Sequence, residues 1–376
     1  MSAPMYLLDG GAVTAVGLDR PQTCAGIRAR VSPFDQLIRS APFGDSLTVA
    51  RIPAAWQLRR TPLDWLVNLA TRAIREVLER HALDPAATVL LMLPPETFRQ
   101  PVFDDHEPDP GDPLFGRLLA RVATEAPGPS RAPFLRALTV PAGGPGALAA
   151  ALDLAQSQLG EPGVRQVLLV AADGYVLEPE FDRLTRAHRL RTPRQAQGLI
   201  PGEGAACLWL SRSPAPSASA ASAASPSDRW LHRPRLPVLR LSGWASATER
   251  QSALSDEQSQ GRAIVQAMRD AASRAGTAEP DIDWVVSNDN GERYAAWEAT
   301  LAQARYFRTR RERLHVELPS TSVGEIGAAA APLALLTAAH RFLHAGAGTR
   351  HALVALASEA GERSACLLSP VEDPAP

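Results

Sequence analysis

The chain contains no lysine: all 39 of its basic residues are arginine. Schiff-base and lysine-assisted chemistry are therefore excluded. Cysteine is scarce. Cys24, Cys207 and Cys366 are spread over 376 residues, too few for a disulfide framework in a chain of this length. Net charge is also nearly absent, at -1. No field of one sign recruits nucleic acid or an anionic membrane, and the scattered arginines read as a solvated surface. The first eleven residues lack a basic segment followed by an apolar one, so no secretory signal is expected. No apolar run reaches membrane-spanning length. Residues 326–339 come nearest, but they are alanine-rich, flanked by charge and read as a buried helix. A cytoplasmic protein with neither nucleic-acid nor membrane partners is the expectation.

The content that is present is hydrophobic, 45% of the residues, enough for a large core. Residues 213–228 (SPAPSASAASAASPSD) cannot build a core and read as a flexible linker. They divide the chain into an N-terminal half, 1–212, and a C-terminal half, 229–376. Continuous apolar runs at 87–93, 166–172, 283–286 and 351–357 predict strands of a sheet covered on both faces. Longer segments at 63–81, 146–159, 257–276 and 327–346 predict helices, and the alternation of the two indicates α/β layers. Residues 99–112 and 176–198 read as long loops or excursions.

One order of elements occurs twice. An extended run ends in a glycine turn, LTVPAGGPG in the first half and VELPSTSVGEIG in the second. An alanine-rich helix follows, then a buried strand (QVLLVAAD; HALVALAS), then a closing strand that begins GEGAACL or GERSACL. Four elements in the same order imply an internally duplicated α/β fold of pseudo-two-fold halves. The repeat puts Cys207 and Cys366 at equivalent positions, where they read as small buried hydrophobes.

Those segments resemble the thiolase superfamily and, within it, the β-ketoacyl synthases. The stretch 167–210 is similar to the family's strand, excursion and closing G-E-(G/A)-A-A strand. Residues 7–34 are similar to its opening strand, turn and first helix, and 239–245 to the strand that opens its second half. Residues 285–298 (VVSNDNGERYAAWE) resemble the segment that carries V-x-x-H-G-T, and 319–336 the segment that carries K-x-x-x-G-H. Residues 99–136 align with nothing in the family. The resemblance implies the layered, duplicated α-β-α-β-α thiolase fold.

It also implies a chemistry that this chain cannot run in the usual way. Family members carry an acyl group on a cysteine at a strand-to-helix turn, where a helix N-terminus lowers the thiol pKa and amides form an oxyanion hole. Two histidines and a lysine complete the site. Here the cysteine position falls at Ala142 or Gly143, the histidine positions at Asn290 and Glu325, and the lysine position at 320–322. All four groups are replaced together, so the resemblance points to a pseudoenzyme.

Other residues offer weaker chemistry. Cys24 lies in the first helix and reads as packing. Asp289, Asn290 and Glu325 converge on the old pocket and could run acid–base chemistry if burial separated their pKa values. The plainer reading is that Asn290 and Glu325 cap turns and pair with arginine. Ser287, Ser320, Thr321 and Ser322 have no histidine beside them in sequence, and His315 reads as packed or exposed. The 104–107 cluster (DDHE) could suggest Mg²⁺ or Ca²⁺, but a solvated acidic loop explains it better. The glycine run 143–146 has no Lys-Ser/Thr and is no phosphate loop. No metal or cofactor is implied.

Three functions are compatible with this reading. The first is a non-catalytic adaptor, scaffold or chaperone for a protein client in a bacterial assembly, with type VI secretion a possible setting. The second is a partner subunit of an active ketosynthase, similar to the chain-length factors of polyketide synthases. The third is an acyl-thioester enzyme with an altered site. A homodimer or a heterodimer with a ketosynthase-type subunit is expected, from the small-residue helix at 146–159. Acyl carrier protein or acyl-CoA would be a partner if the pocket is open.

Overall fold

The computed structural model describes residues 4–38, 46–53, 61–81, 83–96, 116–129, 131–177, 180–214, 236–255, 257–344 and 350–371. The linker read at 213–228 lies outside these apart from its first two residues, as does the 104–107 cluster.

The first half contains β1 (Met5–Thr14), α1 (Arg20–Arg28), the hairpin of β2 (Asp35–Ile38) and β3 (Ser46–Val49), and α2 (Pro62–His81). It continues through β4 (Thr88–Met92), α3 (Gly116–Glu125), β5 (Arg136–Thr139), α4 (Leu148–Leu159), β6 (Gln166–Gly174), α5 (Glu180–Arg186) and β7 (Glu203–Ser211). The second half contains β8 (Leu239–Thr248), α6 (Arg262–Ala275), β9 (Ile282–Ser287), α7 (Arg293–Tyr306) and β10 (His315–Glu317). It closes with α8 (Ser320–Val323), α9 (Ala330–Phe342), β11 (His351–Ala357) and β12 (Glu362–Pro370).

The duplication is visible in the strand order. One sheet runs β10-β9-β11-β12-β8-β1-β7-β6-β4-β5. Read outward from its centre, each half repeats the other: β8, β12, β11, β9, β10 against β1, β7, β6, β4, β5. The halves meet in a short antiparallel pairing of β1 with β8, Met5 to Leu241 through Leu7 to Leu239. Cys207 and Cys366 sit in β7 and β12, the two matching closing strands, and both are fully buried.

Side chains alternate between two cores, which is why these strands read as unbroken apolar runs. In β6, Val167, Leu169 and Ala171 face a central core built on α4 and α9. Leu168, Val170 and Ala172 face the outer layer of α2 and α3. In the second half, Val354 and Leu356 join the central core, while Leu353 and Ala355 meet α6 and α7. The result is α-β-α-β-α layering. Truncating a side chain such as Leu169 to alanine would cost about 2–5 kcal/mol.

Helix starts are where the sequence reading needs adjustment. The helix expected over 257–276 begins only at Arg262, because Gly261 adopts a left-handed conformation, φ 64°, that stops the helix extending backward. Both central helices open with a single tight turn, Pro145–Ala147 before α4 and Gly327–Ala329 before α9.

Candidate functional site

The two tight turns define equivalent places in the two halves. Gly143 lies two residues before the first, and Glu325 lies two residues before the second. Gly143 is thus the internal counterpart of Glu325, at the turn where the family resemblance places its cysteine, on Ala142 or Gly143.

At Gly143 and Gly144 that turn has no room for a side chain. Val140 donates its N–H to the Met92 carbonyl at 2.9 Å, and Gly144 to the Pro94 carbonyl at 2.8 Å, so residues 92–96 lie against it. A Cβ added to Gly143 would stand 1.9 Å from the Pro95 carbonyl oxygen. Gly144, at φ 81°, would place one 2.4 Å from Cγ of Glu96. Glu96 is buried, and its carboxylate accepts the backbone N–H groups of Glu359 at 2.7 Å and Ala360 at 2.9 Å. The Glu359 and Ala360 amides beside the turn are thus occupied and do not hold an oxyanion. The Ser358 hydroxyl accepts the Gly146 N–H at 2.9 Å, and that of Ser364 accepts the Ala149 N–H at 3.1 Å. The start of α4, whose dipole would lower a thiol pKa, is therefore also partnered.

The start of α9 is capped reciprocally, by carboxylates. The Asp173 carboxylate, at the end of β6, accepts the Ala328 N–H at 2.9 Å, and the Glu325 side chain accepts the Gly327 N–H at 2.9 Å. The Glu325 backbone pairs with the Ile200–Gly202 segment of the first half, with its N–H on the Ile200 carbonyl at 2.7 Å. Its other carboxyl oxygen accepts the Asn290 side-chain N–H at 2.9 Å. The structure thus brings Asn290 and Glu325 together, as the sequence reading expected. They cap a turn, but their mutual bond takes the place of the arginine pairing. Burial pushes the Glu325 carboxyl up to about 8, and the neighbouring Glu359 and Glu292 add to the shift. At neutral pH this group holds its proton and can donate. Asp289, next in the same turn, is also raised by burial.

An ion network, unforeseen from sequence, roofs these residues. Arg189 contacts the Glu292 carboxylate through two nitrogens, at 2.8 and 2.6 Å, and Glu359 through a third at 2.6 Å. Arg183 joins Glu180 and Glu359 below it. Deeper, Arg363 is 0% exposed and binds both oxygens of Glu298. Only the third or fourth neighbours among these pairs are close in sequence, so no local pattern announces the network.

Two clefts meet at Asp289 and Asn290. One, with an empty volume of about 810 Å³ including its mouth, runs beneath α7. The other, about 700 Å³, opens between Phe34, Arg191 and Leu318. Among the described residues neither is lined by cysteine or histidine. Cys24 is buried in α1 against the Leu336 carbonyl, and burial pushes its thiol up to about 12. Burial raises Cys207 and Cys366 as well. None of the three is a nucleophile. The Ser287 hydroxyl accepts the Asp289 N–H at 3.2 Å, Ser320 donates to the Asp289 carbonyl, and Thr321 donates to the Leu318 carbonyl. Ser322 is buried and His315 is exposed. Among the described residues no metal-binding group of three or more ligands occurs, and no helix is long and apolar enough to cross a membrane.

Neither a protein-family model nor a curated protein sequence matches the chain. Solved structures do match over its whole length. The ishigamide ketosynthase/chain length factor superposes with TM-score 0.71 at 18% identity, covering 99% of this chain and 100% of that one. A ketosynthase in complex with its chain length factor from Xenorhabdus doucetiae gives 0.68 at 14% identity, covering 98% of each. A β-ketoacyl synthase from Burkholderia phymatum gives 0.66 at 13% identity, covering 98% and 100%. At these identities the likeness is one of fold, and it agrees with the duplicated strand order and the layering. The chain has the thiolase-type fold, in the form built by β-ketoacyl synthases.

Proposed function

We propose that this protein is a ketosynthase-like partner subunit, which pairs with a β-ketoacyl synthase-type chain and does not carry the condensing step itself. The observation that carries the reading is the closed turn at Gly143, where a side chain would meet the Pro95 carbonyl at 1.9 Å. Ala142, Asn290 and Glu325 at the other expected catalytic positions supply no nucleophile and no imidazole. Two of the similar solved structures are described as a ketosynthase with its chain length factor.

The sheet offers a place for a partner. Among the described residues β5 ends the strand order and pairs only with β4. Leu135 just before it is 40% exposed, and Arg136 on it is exposed. An unpaired edge with an exposed leucine beside it is a template for association. An acyl thioester would reach this chain through the cleft between Phe34, Arg191 and Leu318.

The test is co-purification from the native host with identification by mass spectrometry, beside acylation of the isolated chain. A ketosynthase bearing cysteine and two histidines should co-purify at equal stoichiometry, and the isolated chain should form no acyl adduct. Recovery of secretion components without any ketosynthase would replace this reading with that of an adaptor. A covalent acyl adduct, or CO₂ released from malonyl thioester by the chain alone, would replace it with an altered enzyme.

A further inference from the structure

The cleft beneath α7 runs in the outer layer of the second half, and its inner end reaches Glu96 and Pro145 beside the closed turn. Its walls are apolar and unusually slight. Ala295, Ala299 and Ala302 of α7 face Ile264 and Met268 of α6 across Val285 of β9. Only Glu298, Ala302 and Tyr306 of α7 are buried. Where larger side chains would close this layer, alanines leave a slot.

Among the described residues the rim of the slot carries more carboxyls than cations. Six carboxylic side chains line the cleft against two arginines. Both guanidiniums are consumed: Arg189 by Glu292 and Glu359, Arg363 by Glu298, the Ser358 and Glu362 carbonyls and the Tyr294 hydroxyl. An anionic ligand would find no free donor of positive charge. Asp289 accepts only the Gly291 N–H at 3.0 Å, on one oxygen, and Glu325 accepts from Asn290 and Gly327. Among the described residues no arginine or histidine bonds either carboxyl. A cation entering the mouth would offset the burial that the Asp289 carboxylate suffers.

We infer that the slot between α6, α7 and β9 binds a small organic cation, an ammonium or amidinium group on a slim apolar body, with the head at Asp289 and the body against Ala299. This inference does not rest on the pairing proposed above, because it needs neither the β5 edge nor a partner chain.

The test is titration of the full chain with benzylamine, benzyl alcohol and benzoate, followed by calorimetry and ligand-observed NMR. Benzylamine should bind with a Kd in the range of about 1 mM or tighter. It should bind roughly tenfold more tightly than the alcohol, with no binding of benzoate. Asp289→Asn should remove that preference, and Ala299→Phe should fill the slot and abolish binding with the thermal transition intact. If Ala299→Phe does not fold, Asp289→Asn decides alone, since its residue lies in a half-buried turn and keeps the bond to Gly291. Equal binding of the three probes, no saturable binding of benzylamine, or an unchanged preference in Asp289→Asn would overturn the inference.

Discussion

The Asn290 side-chain amide donates to the Glu325 carboxyl at 2.9 Å, joining the turn after β9 to the start of α9. Both residues stand where the family resemblance expects histidine. Burial holds the Glu325 carboxyl at about 8 in the folded chain, against an ordinary 4.5. A carboxyl raised by folding binds its proton more tightly in the native state than in the unfolded one. Its favourable contribution is complete below pH 4.5 and is lost as pH rises through about 8. Stability should therefore fall across that window, by roughly a few kcal/mol from this group. Glu325→Gln should flatten the fall, and thermal denaturation of both proteins from pH 5 to 9 measures it. Equal slopes would show that Glu325 ionises freely in the folded state.

The frame was legible because burial on both faces of a strand leaves an unmistakable apolar run. His351–Ala357 was read to the residue, and the order of β6, β7, β11 and β12 followed from the repeat. The convergence of Asn290 and Glu325 was legible through the resemblance. Glu96 was not. It follows β4 in a proline-rich step and meets amides 263 and 264 positions away. Nor was Arg363, whose partner Glu298 sits mid-helix in α7, 65 positions away. The β2–β3 hairpin was missed as well, since its four-residue strands are too short for period-two alternation to stand out. Long-range polar pairs leave no periodic trace, whereas packed apolar faces do.

The closed turn makes a sharp prediction about restoring the thiol. Gly143→Cys should not regain acylation, because its Cβ would overlap the Pro95 carbonyl oxygen. The backbone must move to admit it, at a cost of about 1–3 kcal/mol or more. Mass spectrometry after incubation with an acyl thioester should find no adduct at position 143, and denaturant unfolding should show the loss. A stable, acylated Gly143→Cys would mean that the turn is open in solution.

Glu96 should act as a clasp between the halves. Its carboxylate holds the Glu359 and Ala360 amides, and Glu96→Ala would leave both donors without this acceptor. Charge-assisted bonds of this kind are worth about 1.5–3 kcal/mol each, reduced where water enters the space left behind. Glu96→Ala should lose about 2–4 kcal/mol in urea unfolding. Glu96→Gln keeps an acceptor for one of the two amides and should fall between the variant and the wild type. No difference between Glu96→Ala and wild type would show the 358–361 loop to be held by other contacts.

The Arg363–Glu298 pair gives the largest expected effect and the cleanest control. Arg363 is fully buried in β12, Glu298 is buried in α7, and the guanidinium Nε lies 2.9 Å from one carboxylate oxygen. Ser259 donates to the same carboxylate at 2.7 Å, which ties the segment before α6 into the pair. Removing one partner leaves the other charge buried without compensation, so Glu298→Ala should lose about 3–5 kcal/mol. Replacing both charges by apolar groups removes the desolvation penalty along with the attraction. The double variant Glu298→Leu with Arg363→Met should therefore recover most of the loss, although the Tyr294 hydroxyl gives up its bond from Arg363. A double-mutant cycle in urea reads the coupling directly. Additive losses would show that the two side chains are stabilised independently, and that α7 is held to β12 by packing alone.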